Sequence, residues 1–298
     1  MRRTFFCLSA LTAIFVLRGA YRSDGVAQSP HTLTGNFHLH KNFHSRFLPA
    51  DRDIIVYLPP RYDTHPSRHY PVLYLQDGQN LFDGATSYIP GMEWRVDETA
   101  QALITSGAIR PLIIVGIYNT GKERVNEYTP TRDPKFKMGG EADLYGRMLV
   151  EELKPFIDSQ YRTRRDASDT GLGGSSLGGL VSLYLGLKYP LVFGKLAVMS
   201  PSVWWDNGFI VRDVQALTAR TQQRIWLDTG TNEGPNSERT TANARLLRDA
   251  LIAKGWVLNK NLIYYEAQGA AHNEQAWGQR VDPMLRFLFP KKRNSSSS

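Results

Sequence analysis

Cysteine is almost missing from this chain. Cys7 is the one thiol in 298 residues, and it sits inside a short apolar run, Phe5 to Leu17, that follows Arg2-Arg3. A basic start, a short apolar run and the small residues Gly25-Val26-Ala27 describe a secretory signal peptide. The expected segment is 1–27, with cleavage after Ala27, or after Ala20 as the alternative. Its removal leaves a mature chain with no thiol, which excludes a disulfide framework, a cysteine nucleophile and a thiolate metal site. Long apolar runs are missing too. A spanning helix needs about 20 apolar residues, so no stable membrane insertion is expected once the leader is gone. The expected location is periplasmic or secreted.

The excess of positive charge, +8 overall, lies mostly at the two ends. Arg2, Arg3, Arg18 and Arg22 against Asp24 supply three charges, and Lys291-Lys292-Arg293 supply three more. The body keeps about two, with both signs interspersed, which argues against a nucleic-acid partner. Residues 291–298, ending in four serines, read as a disordered tail. There is no Walker-type phosphate loop. His38, His40 and His44 lie close together but lack carboxylate or thiol partners at metal-like spacing. No metal and no organic cofactor is expected.

What is present is alternation. Phe37–Leu39 and Ile54–Leu58 read as two early strands with no helix between them, hence an antiparallel edge. Short apolar runs follow at Val72–Leu75, Leu112–Ile117, Leu196–Met199, Ile225–Leu227 and Leu262–Tyr265, the pattern of strands buried on both faces. Between them, apolar residues recur at helix spacing over Val96–Ile104, Leu149–Ile157 and Ala244–Leu251. The expectation is one α/β domain over 28–290, a mainly parallel central sheet with helices on both faces. Chemistry in such a sheet collects beyond the carboxyl ends of the strands.

Gly174-Ser175-Ser176-Leu177-Gly178 stands in that position, between a short strand candidate, Thr170–Gly173, and a helix candidate starting at Gly179. A G-x-S-x-G turn from strand to helix holds its serine strained and exposed. Ser176 is therefore the candidate nucleophile; it alone has glycines at both minus-two and plus-two, whereas Ser175 has Leu177 at plus-two. A serine needs a base. Of the seven histidines, His31, His38, His40, His44, His65 and His69 all precede the elbow, and His272 alone follows it. His272 lies just after the Leu262–Tyr265 strand, where the α/β-hydrolase order of serine, acid, histidine requires the base. Two carboxylates compete to orient it. Asp228 closes a strand and Glu233 lies further out on the following loop. Glu233 is favoured, and Asp228, the alternative, suits a turn-tying role. The oxyanion donors expected are the backbone N–H groups of Leu177, at the helix start, and Gln79, in the Asp77-Gly78-Gln79 turn after the third strand.

With these residues in place, the chain resembles the putative-esterase group of α/β-hydrolases, which includes feruloyl, enterochelin-type and S-formylglutathione hydrolases. The resemblance runs from about Tyr70 to Leu288. It is carried by Leu73–Phe82, Asn126-Glu127-Tyr128-Thr129-Pro130, Gly174–Gly179, Ser200-Pro201-Ser202-Val203-Trp204-Trp205 and His272–Trp277. It implies Ser176 and His272 directly. Glu233 falls where the family's acid usually lies, although many members carry aspartate there. Trp204, Trp205 and Glu127 are further candidates for the substrate pocket.

The constellation predicts a serine esterase working through an acyl-enzyme, with a small-molecule or oligosaccharide ester as its partner: a siderophore lactone or an acyl or feruloyl carbohydrate ester. An acyltransferase of the same fold shares the first half-reaction. A catalytically silent carbohydrate-binding relative is the non-enzymatic rival. The sequence leaves the oligomeric state open.

Overall fold

A computed structural model describes residues 30–291. The expected leader, and all of the expected tail but Lys291, lie outside the described residues. Among the described residues ten strands form: β1 (Asn36–Phe43), β2 (Arg52–Leu58), β3 (Val72–Gln76), β4 (Ile113–Ile117), β5 (Arg132–Asp133), β6 (Met138–Gly139), β7 (Thr170–Ser175), β8 (Lys195–Met199), β9 (Arg224–Gly230) and β10 (Leu262–Ala267). Eight of them make one sheet in the order β1-β2-β4-β3-β7-β8-β9-β10, and β5 and β6 pair separately. The β1–β2 and β2–β4 pairs are antiparallel, and every pair from β4 to β10 is parallel. This is the α/β-hydrolase architecture with an antiparallel amino-terminal edge.

The alternation within each strand builds two cores. From β2, Ile54, Val56 and Leu58 face one side while Ile55 and Tyr57 face the other. The first side also takes Leu172, Val198 and Leu227 and is covered by the helices Leu177–Lys188 and Ser237–Ala253. The second takes Leu75, Met199 and Trp226 under the helices Val96–Thr105 and Val281–Leu288. Burying one large aliphatic side chain contributes about 1.5–3 kcal/mol, so the buried central strands and the helices that cover them share the fold's apolar stabilisation.

The segment read as a single helix over Leu149–Ile157 is a longer run with a defect inside it. Ala142–Arg147 and Lys154–Gln160 are α-helical, and Met148–Leu153 between them is π-helical. The i, i+4 recurrence of Leu149 and Leu153 is common to both helix types, so spacing alone does not separate them. Among the described residues no helix is long and apolar enough to cross a membrane.

Candidate active site

Strand β7 sits at the middle of the sheet and ends in the elbow. Ser176 has φ 57° and ψ −123°, a conformation that costs a non-glycine residue roughly 1–3 kcal/mol and persists only where its surroundings impose it. Here they do. The Ser176 N–H donates to Met199 O on β8 (3.1 Å), and its carbonyl accepts from the N–H groups of Leu180 and Ser202 (both 3.0 Å). The flanking glycines permit close approach: a Cβ on Gly174 would lie 2.8 Å from Cβ of Gln76, and one on Gly178 would lie 3.0 Å from the same atom. The turn can therefore pack directly on β3.

Ser176 and His272 line one cavity of about 390 Å³ above the carboxyl ends of the strands, together with Gln79, Tyr88, Trp94 and Trp277. The Ser176 hydroxyl lies 3.3 Å from Oγ of Ser202, and no hydrogen bond joins it to His272 among the described residues. Nδ1 of His272 lies 2.9 Å from Oε2 of Glu233, whose side chain is fully buried. The other Glu233 oxygen accepts from the Gly230 N–H (2.6 Å) and from the Ser200 hydroxyl. Burial alone would raise the Glu233 pKa. The hydrogen bonds from His272, Ser200 and Gly230, with the nearby imidazole charge, outweigh it and hold the carboxyl below its ordinary range.

Asp228 is placed differently. It is completely buried and accepts from Arg280 Nη1 (2.7 Å), from Trp226 Nε1 (2.7 Å) and from the Ser200 N–H (3.1 Å). Its carboxyl, pushed up to about 6 by burial and only partly relieved by Arg280, does not reach His272. Among the described residues Asp228 makes no hydrogen bond to His272; its oxygens are taken up inside the fold.

Ser200 stands between the two carboxylates. It has φ 40°; its hydroxyl donates to Glu233 and accepts from Trp277 Nε1 (3.1 Å) and Arg280 Nη2 (3.2 Å). The Trp277 ring in turn meets the His272 ring edge-on, with centroids 4.9 Å apart. His272, Glu233, Ser200 and Trp277 thus form a closed circuit. Sequence reading missed Ser200, Trp277 and Arg280. The Ser200-Pro201-Ser202 and His272–Trp277 stretches were visible as motifs, but nothing in their spacing shows that they meet.

The turn after β3 is clamped from below. Asp77, at φ 57°, receives both Nε and Nη2 of Arg124 (2.7 Å each) and Asn119 Nδ2 (2.7 Å). Gly78–Asn80 is a single 3₁₀ turn, and Leu177 opens its helix. The N–H groups of Gln79 and Leu177 therefore sit in first turns, where helical geometry gives a donor no internal acceptor.

The pocket candidates separate. Trp204 is 46% exposed and lines a different cavity, of about 510 Å³, with Phe136, Lys135, Arg239 and Glu233. Trp205 is buried, stacked on Phe136 and donating to Thr131 O (3.0 Å). Glu127 is not in either cavity. It forms a two-pronged pair with Arg52 (2.8 and 3.0 Å), both side chains fully buried, and anchors its loop to β2. Tyr88, 84% exposed at the cavity mouth, was not anticipated.

With this geometry in hand, comparison with known proteins places the chain. The family described as "Putative esterase" matches residues 45–288. The chain belongs to that family. It is accordingly a carboxylic-ester hydrolase. Among its relatives, the uncharacterized protein YjcH of Bacillus subtilis is 34% identical over 252 residues, covering 84% of this chain and 96% of that protein. Ferri-bacillibactin esterase BesA of the same organism is 29% identical over 209 residues, covering 62% of this chain and 68% of its own. Among solved structures, an IroE-like serine hydrolase from Shewanella oneidensis superposes with a TM-score of 0.69 at 24% identity, over 85% of this chain and 80% of that one. It shares the fold of this esterase.

Proposed function

We propose that this esterase uses Ser176 as nucleophile, His272 as base and Glu233 as the acid that orients it, and that its natural substrate is an extracytoplasmic siderophore lactone. The observation that carries the reading is the pairing of a strained serine with a histidine whose Nδ1 is already held by a buried carboxylate, both on one cavity. With Nδ1 engaged, Nε2 is the nitrogen left to take the serine proton. The Ser176 hydroxyl leaves Ser202, gives its proton to Nε2 and attacks the ester carbonyl. The N–H groups of Gln79 and Leu177 receive the oxyanion, the protonated imidazole returns its proton to the departing alcohol, and water repeats the sequence to free the acid.

Lys135 and Arg239 beside the aromatic rings of Phe136 and Trp204 suit a large, electron-rich, anionic substrate. BesA, the ferri-bacillibactin esterase, supports the same direction. The exposed indole of Trp204 favours a second reading, an acyl or feruloyl carbohydrate ester, because a flat aromatic face also stacks on a sugar ring. The deciding experiment compares kcat/KM on a tri-catecholate trilactone and on a feruloylated oligosaccharide, alongside p-nitrophenyl acetate and fluorophosphonate labelling. Turnover of the lactone with label on Ser176 supports the proposal. A preference for the feruloyl ester moves it to the second reading, and a folded chain that is neither active nor labelled ends the serine mechanism.

A further inference from the structure

At the end of the sheet remote from Ser176, six cations gather around the amino ends of the parallel strands. Arg68 precedes β3, Arg110 precedes β4, Arg164 precedes β7, Lys195 and Arg224 are the first residues of β8 and β9, and Lys291 follows the last helix. Arg68, Arg110, Arg164 and Lys291, with His69, line a cavity of about 350 Å³. Among the described residues a single carboxylate, Asp169, pairs with them: it binds Arg110 and stands 3.6 Å from Arg164.

The two cations that open β8 and β9, outside the cavity lining, are poorly compensated. Lys195 is only 8% exposed, and among the described residues its ammonium has no hydrogen-bonded or ion-paired partner; the ring of Phe289 lies 5.5 Å away. Arg224, paired with Lys195 across β8 and β9, has a buried Nε with no acceptor. Burial of cations without partners is costly, and folded proteins resolve it by pairing them. Burial, with repulsion from Arg110 and Arg224, pushes the Lys195 ammonium down to about 8, so Asp169 offsets only part of the cost. The missing element is negative charge.

We propose that this basal cavity is a binding site for a phosphate-type dianion, gripped by Arg68, Arg110, Arg164 and Lys291. Guanidinium groups present paired N–H donors that match two oxygens of such an anion. The volume leaves room for an organic group on the phosphate. Two sources share this chemistry: a free phosphate ester, and the phosphate of a lipid headgroup.

The test is titration of the protein with inorganic phosphate, followed by calorimetry and thermal unfolding, against sodium chloride at matched ionic strength. The site predicts saturable binding and a rise in melting temperature that chloride does not reproduce, as for any ligand that binds the folded state alone. Arg68→Gln with Lys291→Gln, both exposed positions, should weaken phosphate binding by about tenfold or more and leave p-nitrophenyl acetate hydrolysis unchanged; Arg68→Gln alone should give a smaller loss. Sedimentation with phosphatidylglycerol vesicles separates the sources: binding that phosphate competes away identifies a lipid headgroup, and no vesicle binding identifies a free phosphate compound. Absence of a saturable phosphate effect, or a double variant that binds phosphate as the parent does, overturns the proposal.

Discussion

Glu233 holds Nδ1 of His272 at 2.9 Å, although Asp228, five residues earlier, lies within strand β9 itself. The longer excursion wins because the shorter residue is already committed to Arg280 at 2.7 Å inside the fold. The two carboxylates are therefore separable by experiment.

Glu233→Gln should lower kcat by about 10²–10⁴ while the protein keeps its fold, since an amide can hold the imidazole in the wrong tautomer. Asp228→Asn should do the reverse. It leaves Arg280 without its buried counter-charge and should cost about 3–5 kcal/mol of stability. Denaturant unfolding and steady-state kinetics on both variants check the pair. Equal kinetic losses with no stability difference would contradict it.

Ser176→Ala should abolish fluorophosphonate labelling and reduce kcat by about 10⁴–10⁶, and His272→Ala should reduce kcat to a similar level. Their double variant should be scarcely worse than either single one, because neither group acts alone. An active Ser176→Ala protein would move the nucleophile elsewhere, with Ser202 the nearest hydroxyl at 3.3 Å.

Gly78→Ala tests the turn after β3. Its Cβ would lie 2.6 Å from the Gly116 carbonyl carbon and 2.7 Å from the Ile117 nitrogen, both backbone atoms of β4 that cannot step aside. The turn must shift, and the Gln79 N–H with it. The expected loss is about 10²–10³ in kcat, the size seen when one oxyanion donor is removed. A change confined to stability would place Gln79 outside the reaction.

Lys195→Met should reveal a pH-dependent cost. The folded ammonium titrates at about 8, below its ordinary 10.5. Between those values the unfolded chain keeps a proton that the folded chain has lost, so the parent's stability relative to Lys195→Met should rise as pH increases from 8 to 10. The full difference is on the order of 2–3 kcal/mol. Unfolding in phosphate-free buffer at pH 7, 8, 9 and 10 measures it. A flat difference would show that Lys195 is compensated by something else.

Much of the fold was legible because the buried parallel strands are short apolar runs that tolerate little else, as in Leu73 to Leu75 or Ile113 to Val115. Ser176 stood out for a local reason, two glycines at fixed offsets, and His272 because the order of elements left no other histidine after the elbow. The rest depended on partners distant in sequence. Glu127 lies in a motif beside the site, yet its role is set by Arg52, 75 residues earlier. Trp204 and Trp205 are adjacent, chemically alike and both against the Phe136 ring, yet one is exposed while the other is buried with its indole N–H on the Thr131 carbonyl. Spacing carries no record of such meetings.

The circuit of His272, Glu233, Ser200 and Trp277 has a thermodynamic consequence. Each member is fixed by two others, so removing one frees its neighbours before a second substitution is made. Ser200→Ala and Trp277→Phe should each loosen the imidazole, and together they should cost less than the sum of their separate effects, as contacting residues in a shared network do. Adaptive change at this site would then come in correlated steps, with a replacement at one position altering which replacements the other three can accept.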